Sequence, residues 1–419
     1  MLSSADFRSR VPDLVRGPDS DSWVRVAASL AAGLALIVAG PASTASAQEV
    51  SEEAARIHEE AIVVDGHNDL PWRIRGEAAL EIEPLRLDQR NEEGHTDIPR
   101  MQEGGVDVQW WSVYVDPDIH GPEATAVQLE EIDVAKRLCR RYPELEMAYT
   151  PDDVDRITEA GRTACLLGME GGHVISNSIP VLRQLYEAGA RYLTLTHFRT
   201  LSWADAAGDV THGGLTQFGE EVVREMNRLG MVVDLSHVSD QTMTDALRVS
   251  EAPVIFSHSG ARAVADHPRN VPDRVLRRLD ENGGVVMVIF YPGYLVPGAD
   301  TLSSDYLSEN SDVGTIADHI DHVVEVAGVD HVGLGSDFDG VSYLPRGMKD
   351  VSDLPNLTQE LMDRGYTEEE IRKILGGNAM RVFRETHETA QRLQQERSPS
   401  AARLPHYDVV PEDSAGDGG

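Results

Sequence analysis

Six apolar runs in this chain each end in a side chain that binds metal ions or moves protons. Residues 62–69 read Ile-Val-Val-Asp-Gly-His-Asn-Asp and residues 165–170 read Cys-Leu-Leu-Gly-Met-Glu. Residues 192–197 read Tyr-Leu-Thr-Leu-Thr-His, and 232–237 read Val-Val-Asp-Leu-Ser-His. Residues 254–258 read Val-Ile-Phe-Ser-His, and 332–337 read Val-Gly-Leu-Gly-Ser-Asp. His67, Asp69, Glu170, His237 and His258 offer nitrogen and oxygen donors and no thiolate. Such a set suits a pair of divalent cations and excludes a structural thiolate zinc site. Two cations ~3.5–4 Å apart acidify a bridging water and stabilise the oxygen charge that develops when it attacks.

The other reactive groups fit around that centre. Asp337 can take a proton from the bridging water and pass it to a leaving amine. Asp339 could do the same, or hold a strand-to-loop turn. His197 can donate a hydrogen bond to a polarised carbonyl oxygen, or orient a metal ligand. Arg269, in His-Pro-Arg-Asn-Val-Pro-Asp at 267–273, suits bidentate grip of a carboxylate. Each residue alone also has a plainer reading. His67 with Asp69 could be a solvated pair, Glu170 a salt-bridged loop residue, a lone His a structural one, and Arg269 a surface charge. The argument rests on the set.

What brings the set together is the nature of the runs. They are short, continuous and rich in Val, Ile and Leu, as strands buried on both faces of a parallel sheet are. Strand-like runs recur near 61–65, 107–115, 164–170, 192–197, 231–237, 253–258, 284–291 and 332–337. Helical patterns lie between most of them, at 124–141, 179–188, 217–229, 240–249, 272–282 and 315–327. Gly189, Gly230, Gly283 and Gly328 follow helices, as C-terminal caps do. A helix starts at Thr367-Glu368-Glu369-Glu370, and a last one spans 378–389. Alternation of this kind predicts a (β/α)8 barrel, whose strand C-termini open onto one face and form the active site there.

The chain has 419 residues and a formal net charge of -34, from 37 basic and 71 acidic side chains. Only Lys136, Lys349 and Lys373 are lysines. Such a surface repels nucleic acid and anionic membranes; it suits solubility or high salt. Residues 1–48 read as a signal peptide or N-terminal leader, with an apolar run at 26–40 and Ala45-Ser46-Ala47 after it. A retained N-terminal membrane anchor and a start site placed too early are the competing readings. The catalytic domain is expected at 49–395 and a disordered acidic tail at 396–419. Cys139 and Cys165 allow one bridge or two unpaired buried thiols.

Eight stretches together resemble the membrane dipeptidase (renal dipeptidase) family of zinc peptidases. They are Asp-Gly-His-Asn-Asp-Leu-Pro-Trp at 65–72, Thr-Asp-Ile-Pro-Arg at 96–100, Glu-Gly-Gly-His at 170–173 and Leu-Thr-Leu-Thr-His at 193–197. The others are Asp-Leu-Ser-His-Val-Ser at 234–239, Val-Ile-Phe-Ser-His-Ser at 254–259, Arg-Asn-Val-Pro-Asp at 269–273 and Gly-Ser-Asp-Phe-Asp-Gly at 335–340. The resemblance implies a barrel with two Zn2+ per subunit. His67 and Asp69 would hold one zinc, His237 and His258 the other, and Glu170 would bridge them. It implies His197 and Arg269 as substrate-binding residues, Arg269 taking the C-terminal carboxylate, with Asp337 as general acid/base. Tyr294 matches a substrate-contacting tyrosine. Family members cleave dipeptides, often with a D-residue at the C-terminal position, and form homodimers.

Two departures matter. The animal enzymes carry several disulfides and a lipid-anchor signal. This chain has two cysteines and a polar acidic tail, which fits a bacterial relative exported to the periplasm or beyond, without stable membrane insertion once its leader is cleaved. The expectation is therefore a zinc-dependent dipeptidase acting through a metal-bridged hydroxide. Another amide, lactam or lactone hydrolase on the same metals is the alternative, and a non-catalytic binding protein is the reading from a different class.

Overall fold

The computed structural model describes residues 50–406 and 408. The expected leader and the end of the tail lie outside them. Among the described residues nine parallel strands form one sheet. They are β1 Val64–Asn68, β2 Val108–Ser112, β3 Leu145–Met147, β4 Thr163–Glu170, β5 Ala190–Thr194, β6 Val232–Asp234, β7 Val254–Ser259, β8 Val285–Val288 and β9 Val332–Leu334. Eight close into a barrel, β2-β1-β9-β8-β7-β6-β5-β4, with β2 pairing β4 from Val108 opposite Ala164 to Ser112 opposite Gly168. This is the expected (β/α)8 fold.

The ninth strand, β3, was not expected. It pairs with the first residues of β4, Leu145 opposite Thr163 to Met147 opposite Cys165. From Leu167 onward β5 takes over the same edge of β4. Three residues with only Leu145 buried carry no readable alternation.

The barrel strands are buried along almost their whole length, which is why their sequences are continuous apolar runs. Inside the barrel, Val64, Trp110, Leu166, Tyr192, Val232, Ile255 and Met287 pack together. Met380, Val382 and Phe383 of the last helix, Asn378–Glu396, close the end where the strands begin. The Phe383 ring meets Trp110 edge-on at 5.6 Å. The opposite end is left for the site. Tyr192 fits inside only because residue 168 is glycine: a Cβ there would lie 1.9 Å from the tyrosine ring.

Helix boundaries follow local chemistry. Gln217–Leu229 starts at Thr216, whose hydroxyl accepts from Gly219 N, and stops at Gly230 in the left-handed region. Asp240–Val249 starts at Ser239 in the same way. The helix expected at 272–282 is interrupted: Asp273–Leu276 and Leu279–Asn282 are separate turns, with Arg277 and Arg278 right-handed between them.

Of the two readings of the cysteines the bridge is the one present: Cys139 and Cys165 join helix Gly121–Arg141 to β4. One expectation is corrected: the residues just past 396 are not a disordered tail. The last helix runs to Glu396, and residues beyond it lie along the body. Ile179 N donates to Ala402 O, Leu404 N to Asn177 O, and Arg183 to Ser400 O. These bonds are to main chain, so they leave no apolar pattern in the tail. No helix among the described residues is long and apolar enough to cross a membrane.

Candidate active site

The strand C-termini bring the expected residues together. His67 Nε2 lies 3.3 Å from Asp69 Oδ2 and 3.5 Å from Glu170 Oε2. The other oxygen of the same carboxylate, Oε1, lies 3.0 Å from His237 Nε2 and 3.4 Å from His258 Nε2. His237 and His258 Nε2 are 2.9 Å apart. Asp337 Oδ1 lies 3.9 Å from His67 Nε2. His197 Nε2 lies 3.6 Å from Glu170 Oε1 and shares a potential metal-binding cluster with Glu170 and His237. All are buried or nearly so.

Local structure aims each ring. Tyr192 donates its hydroxyl proton to Gly66 O at 3.5 Å, leaving the phenol oxygen to accept from His67 Nδ1–H at 2.8 Å. Ser257 Oγ donates to Asp234 Oδ2 at 2.7 Å and can then accept from His258 Nδ1–H at 2.8 Å. In both cases the assigned tautomer leaves Nε2 with a lone pair facing the site. Two buried aspartates fasten the strand ends. Asp65 accepts from Ser336 N and Oγ and from Gln109. Asp234 accepts from Ser257 N and Ser236 N.

The backbone is strained where the ligands turn inward. His237, Asp337 and Asp339 have φ of 66°, 64° and 62°, in the left-handed region. Such residues cost about 1–3 kcal/mol each and cluster at functional sites. Asp339 does not face the centre. Its Oδ1 accepts from His95 N at 2.8 Å and from Arg73 at 3.3 Å, so it holds loops in place. Gly340 makes room for two carboxylates: a Cβ would lie 2.2 Å from Asp69 Oδ2 and 2.6 Å from Asp337 Oδ1.

The electrostatics point to cations. Burial, then Arg269, holds His237 well below the usual histidine range. Burial, then Arg269, does the same to His197; for His258 burial comes first, then His67. Neutral imidazoles are the form that binds metal. Burial and then the Asp69 charge push Asp337 far above the usual carboxylate range, and burial raises Glu170. Burial lowers His67, but Tyr192, Glu170 and Asp69 together leave it raised. Three carboxylates, Asp69, Glu170 and Asp337, thus crowd around the one imidazole of His67. His67 Nε2 has no hydrogen-bond partner at all. Three overlapping groups, His67/Glu170/His258, Glu170/His197/His237 and His67/Asp69/Asp337, have donor atoms within 4.8 Å of one another. These residues fit metal.

Arg269 is buried beside the centre, donating to His258 O at 3.2 Å, with its guanidinium 5.2 Å from the centre of the Tyr294 ring. Its Nε has no partner. Tyr294 stacks on His267 at 4.5 Å.

Comparison with known proteins places the chain in a family. Residues 51–397 match the membrane dipeptidase family, peptidase family M19. The chain belongs to that family. It is similar to dipeptidase 3 of Mus musculus, with 41% identity covering 81% of this chain and 68% of that protein. It is also similar in structure to dipeptidase AC, a family M19 metallopeptidase, with 29% identity, 78% and 98% of the two chains covered and a TM-score of 0.70. A metallopeptidase from Rhodobacter sphaeroides, solved with a phosphinate mimic of the dipeptide L-Ala-D-Ala, gives 28% identity, 78% and 100% coverage and a TM-score of 0.69. The chain is a metal-dependent dipeptidase.

Several residues of the dipeptidase site were not legible beforehand. Tyr192 sits in an apolar run and reads as core. Ser112 Oγ donates to Glu170 Oε2 at 3.3 Å. Asp65 and Asp234 precede His67 and His237 by two and three residues, and that repeat was the available signal.

Proposed function

We propose that the dipeptidase works with two zinc ions, His67 and Asp69 holding one, His237 and His258 the other, and Glu170 shared. The observation that carries this is the Glu170 carboxylate, whose Oε2 faces His67 at 3.5 Å while Oε1 faces His237 at 3.0 Å. A pair of such cations, when bound, acidifies water and offsets the charge that builds on the attacked carbonyl oxygen.

The chain's own residues supply the rest. A dipeptide is a zwitterion, and the site is polar in the matching sense. Arg269, desolvated and with Nε free, takes the C-terminal carboxylate. Tyr294 packs against its guanidinium and lines the same end. Asp69 and Asp337 form the acidic end, where the free amino group lies. His197, kept neutral by burial and by Arg269, donates a hydrogen bond to the carbonyl oxygen of the peptide bond. Asp337 accepts the proton released when water attacks and delivers it to the leaving nitrogen. We extend acceptance of a C-terminal D-residue to this chain, with the C-terminus held by its carboxylate. The Rhodobacter sphaeroides relative, solved with an L-Ala-D-Ala mimic, supports that step.

The buried Cys139–Cys165 bridge favours an oxidising compartment. With the apolar run at 26–40, it supports export to the periplasm or beyond. The test is metal analysis of the purified chain with hydrolysis of a small L,L and L,D dipeptide panel, with and without a chelator. Two zinc ions per chain and turnover abolished by chelation are expected; metal-free material with full turnover would overturn the proposal.

A further inference from the structure

We propose that Asn177 is a positioning residue of the active site: together with the C-terminal strap that docks on it, it fixes the loop after His197 and so keeps that imidazole on the substrate carbonyl. The inference rests on the role given to His197 above. Two other rings of the centre are oriented by a bond at Nδ1, His67 by Tyr192 and His258 by Ser257. His197 Nδ1 is buried and has no partner. The aim of this ring therefore depends on the backbone that carries it. Before the ring, Leu195 N donates to Asp234 O at 3.3 Å and Thr196 Oγ1 to His237 O at 3.1 Å. After it come Phe198, which is 55% exposed, and Arg199, whose ion pair with Asp118 joins two exposed side chains. Pairs of that kind contribute little. Thr200 bonds only within its own loop, to Asp209 and Ala206. The next firm point is at Ser202 and Trp203.

Asn177 makes that point firm. It lies in the loop that leaves β4 after Glu170, is 1% exposed, and has φ of 54°, a left-handed conformation that asparagine adopts more readily than most residues. Its Nδ2 donates one hydrogen to Ser202 Oγ at 3.0 Å and the other to His406 O at 2.8 Å. Its main-chain O accepts from Leu404 N at 2.9 Å. Asp408 completes the circuit, its Oδ1 accepting from Ser202 N at 2.7 Å. Beside this joint the two loops touch directly: a Cβ on Gly172 would lie 2.5 Å from the Trp203 ring and 2.5 Å from Leu195 O. One side chain thus ties together the loop after Glu170, the loop after His197 and the strap formed by residues 400–406 and 408. Both amide hydrogens are used, so an acceptor-only side chain of the same size cannot replace it.

The test is a double-mutant cycle in the full chain, with Ala-Ala as substrate. Asn177→Asp keeps the size and the backbone preference and removes the two donors; it is made with His197 present and with His197→Ala. With His197 present, kcat should fall about tenfold while KM and bound metal stay within about twofold. In the His197→Ala background, Asn177→Asp should add nothing. Asp408→Ala probes the same circuit from the outer end of the strap, should Asn177→Asp not fold. Its kcat should fall by a smaller factor, and Asp408→Asn, whose side-chain oxygen still accepts from Ser202 N, should restore it. A kcat for Asn177→Asp within about twofold of wild type overturns the proposal; where that variant does not fold, an Asp408→Ala that behaves as wild type does so. An equal fractional loss in both backgrounds, or a loss that tracks bound metal, makes Asn177 a prop for the fold or for Glu170 and also overturns it. If His197→Ala alone turns over as wild type does, the role of His197 falls and the inference with it, a result distinct from the others.

Discussion

The phenol oxygen of Tyr192 lies 2.8 Å from Nδ1 of His67, inside the barrel and beneath the metal-binding cluster. A core residue of one strand thereby sets the ring orientation at the end of another. Tyr192→Phe keeps the packing and removes the acceptor, leaving His67 Nδ1–H buried without a partner. Metal affinity should fall about 10–100-fold, the range for a lost outer partner of a ligating histidine. Competition with a chromogenic chelator measures it. Unchanged affinity would mean that Tyr192 only fills space.

Asp337 should separate chemistry from binding. Asp337→Asn preserves shape beside Asp69 but cannot relay a proton. Turnover on dipeptides should fall about 10²–10⁴-fold, while bound metal and the folded far-ultraviolet spectrum stay as in wild type. Activity within a few-fold of wild type would move the proton relay elsewhere.

The Cys139–Cys165 bridge closes a loop of 26 residues between helix Gly121–Arg141 and the strand that ends in Glu170. In the chain-entropy account a loop of that length contributes about 3.5 kcal/mol. The denaturation midpoint should drop by a matching amount in strong reductant, and the unfolded, unreduced chain should show no reactive thiol. Two titratable thiols in freshly purified protein would contradict the bridge.

Glu131 makes a pH-dependent contribution of its own. It is fully buried, with Arg75 donating to Oε1 at 3.0 Å and Oε2 unpartnered. Burial outruns the attraction of Arg75 and pushes its carboxyl up to about 8, from 4.5. A carboxyl raised by folding stabilises the fold fully below its unfolded value and loses that contribution as pH climbs through the folded one. Stability should therefore decline between about pH 5 and about pH 8, by up to about 4 kcal/mol. Glu131→Gln, which cannot ionise, should flatten that decline in urea titrations at the two pH values. An equal slope in both proteins would contradict the assignment.

What the chain reveals on inspection and what it hides divide along physical lines. The barrel strands are buried on both faces, so their composition alone exposes them, and the reactive residue that ends each run is visible with it. β3 is three residues long and half covered, and has no such composition. Tyr192 looks like any aromatic in a core run, because its use depends on Gly168 across the barrel and on His67 above it. The cysteine pairing depends on Cα atoms 6.6 Å apart in space, not on spacing. Residues 397–406 dock through main-chain bonds to the loop around Asn177, so their side chains keep the look of a tail.

The central claim is that the two oxygens of Glu170 serve two different cations. Anomalous diffraction at the zinc edge, on crystals of the purified enzyme, tests it most directly. The account predicts two peaks per chain flanking the Glu170 carboxylate, one beside His67 and Asp69 and the other beside His237 and His258. A single peak in fully active enzyme, or two peaks neither of which Glu170 touches, would contradict it.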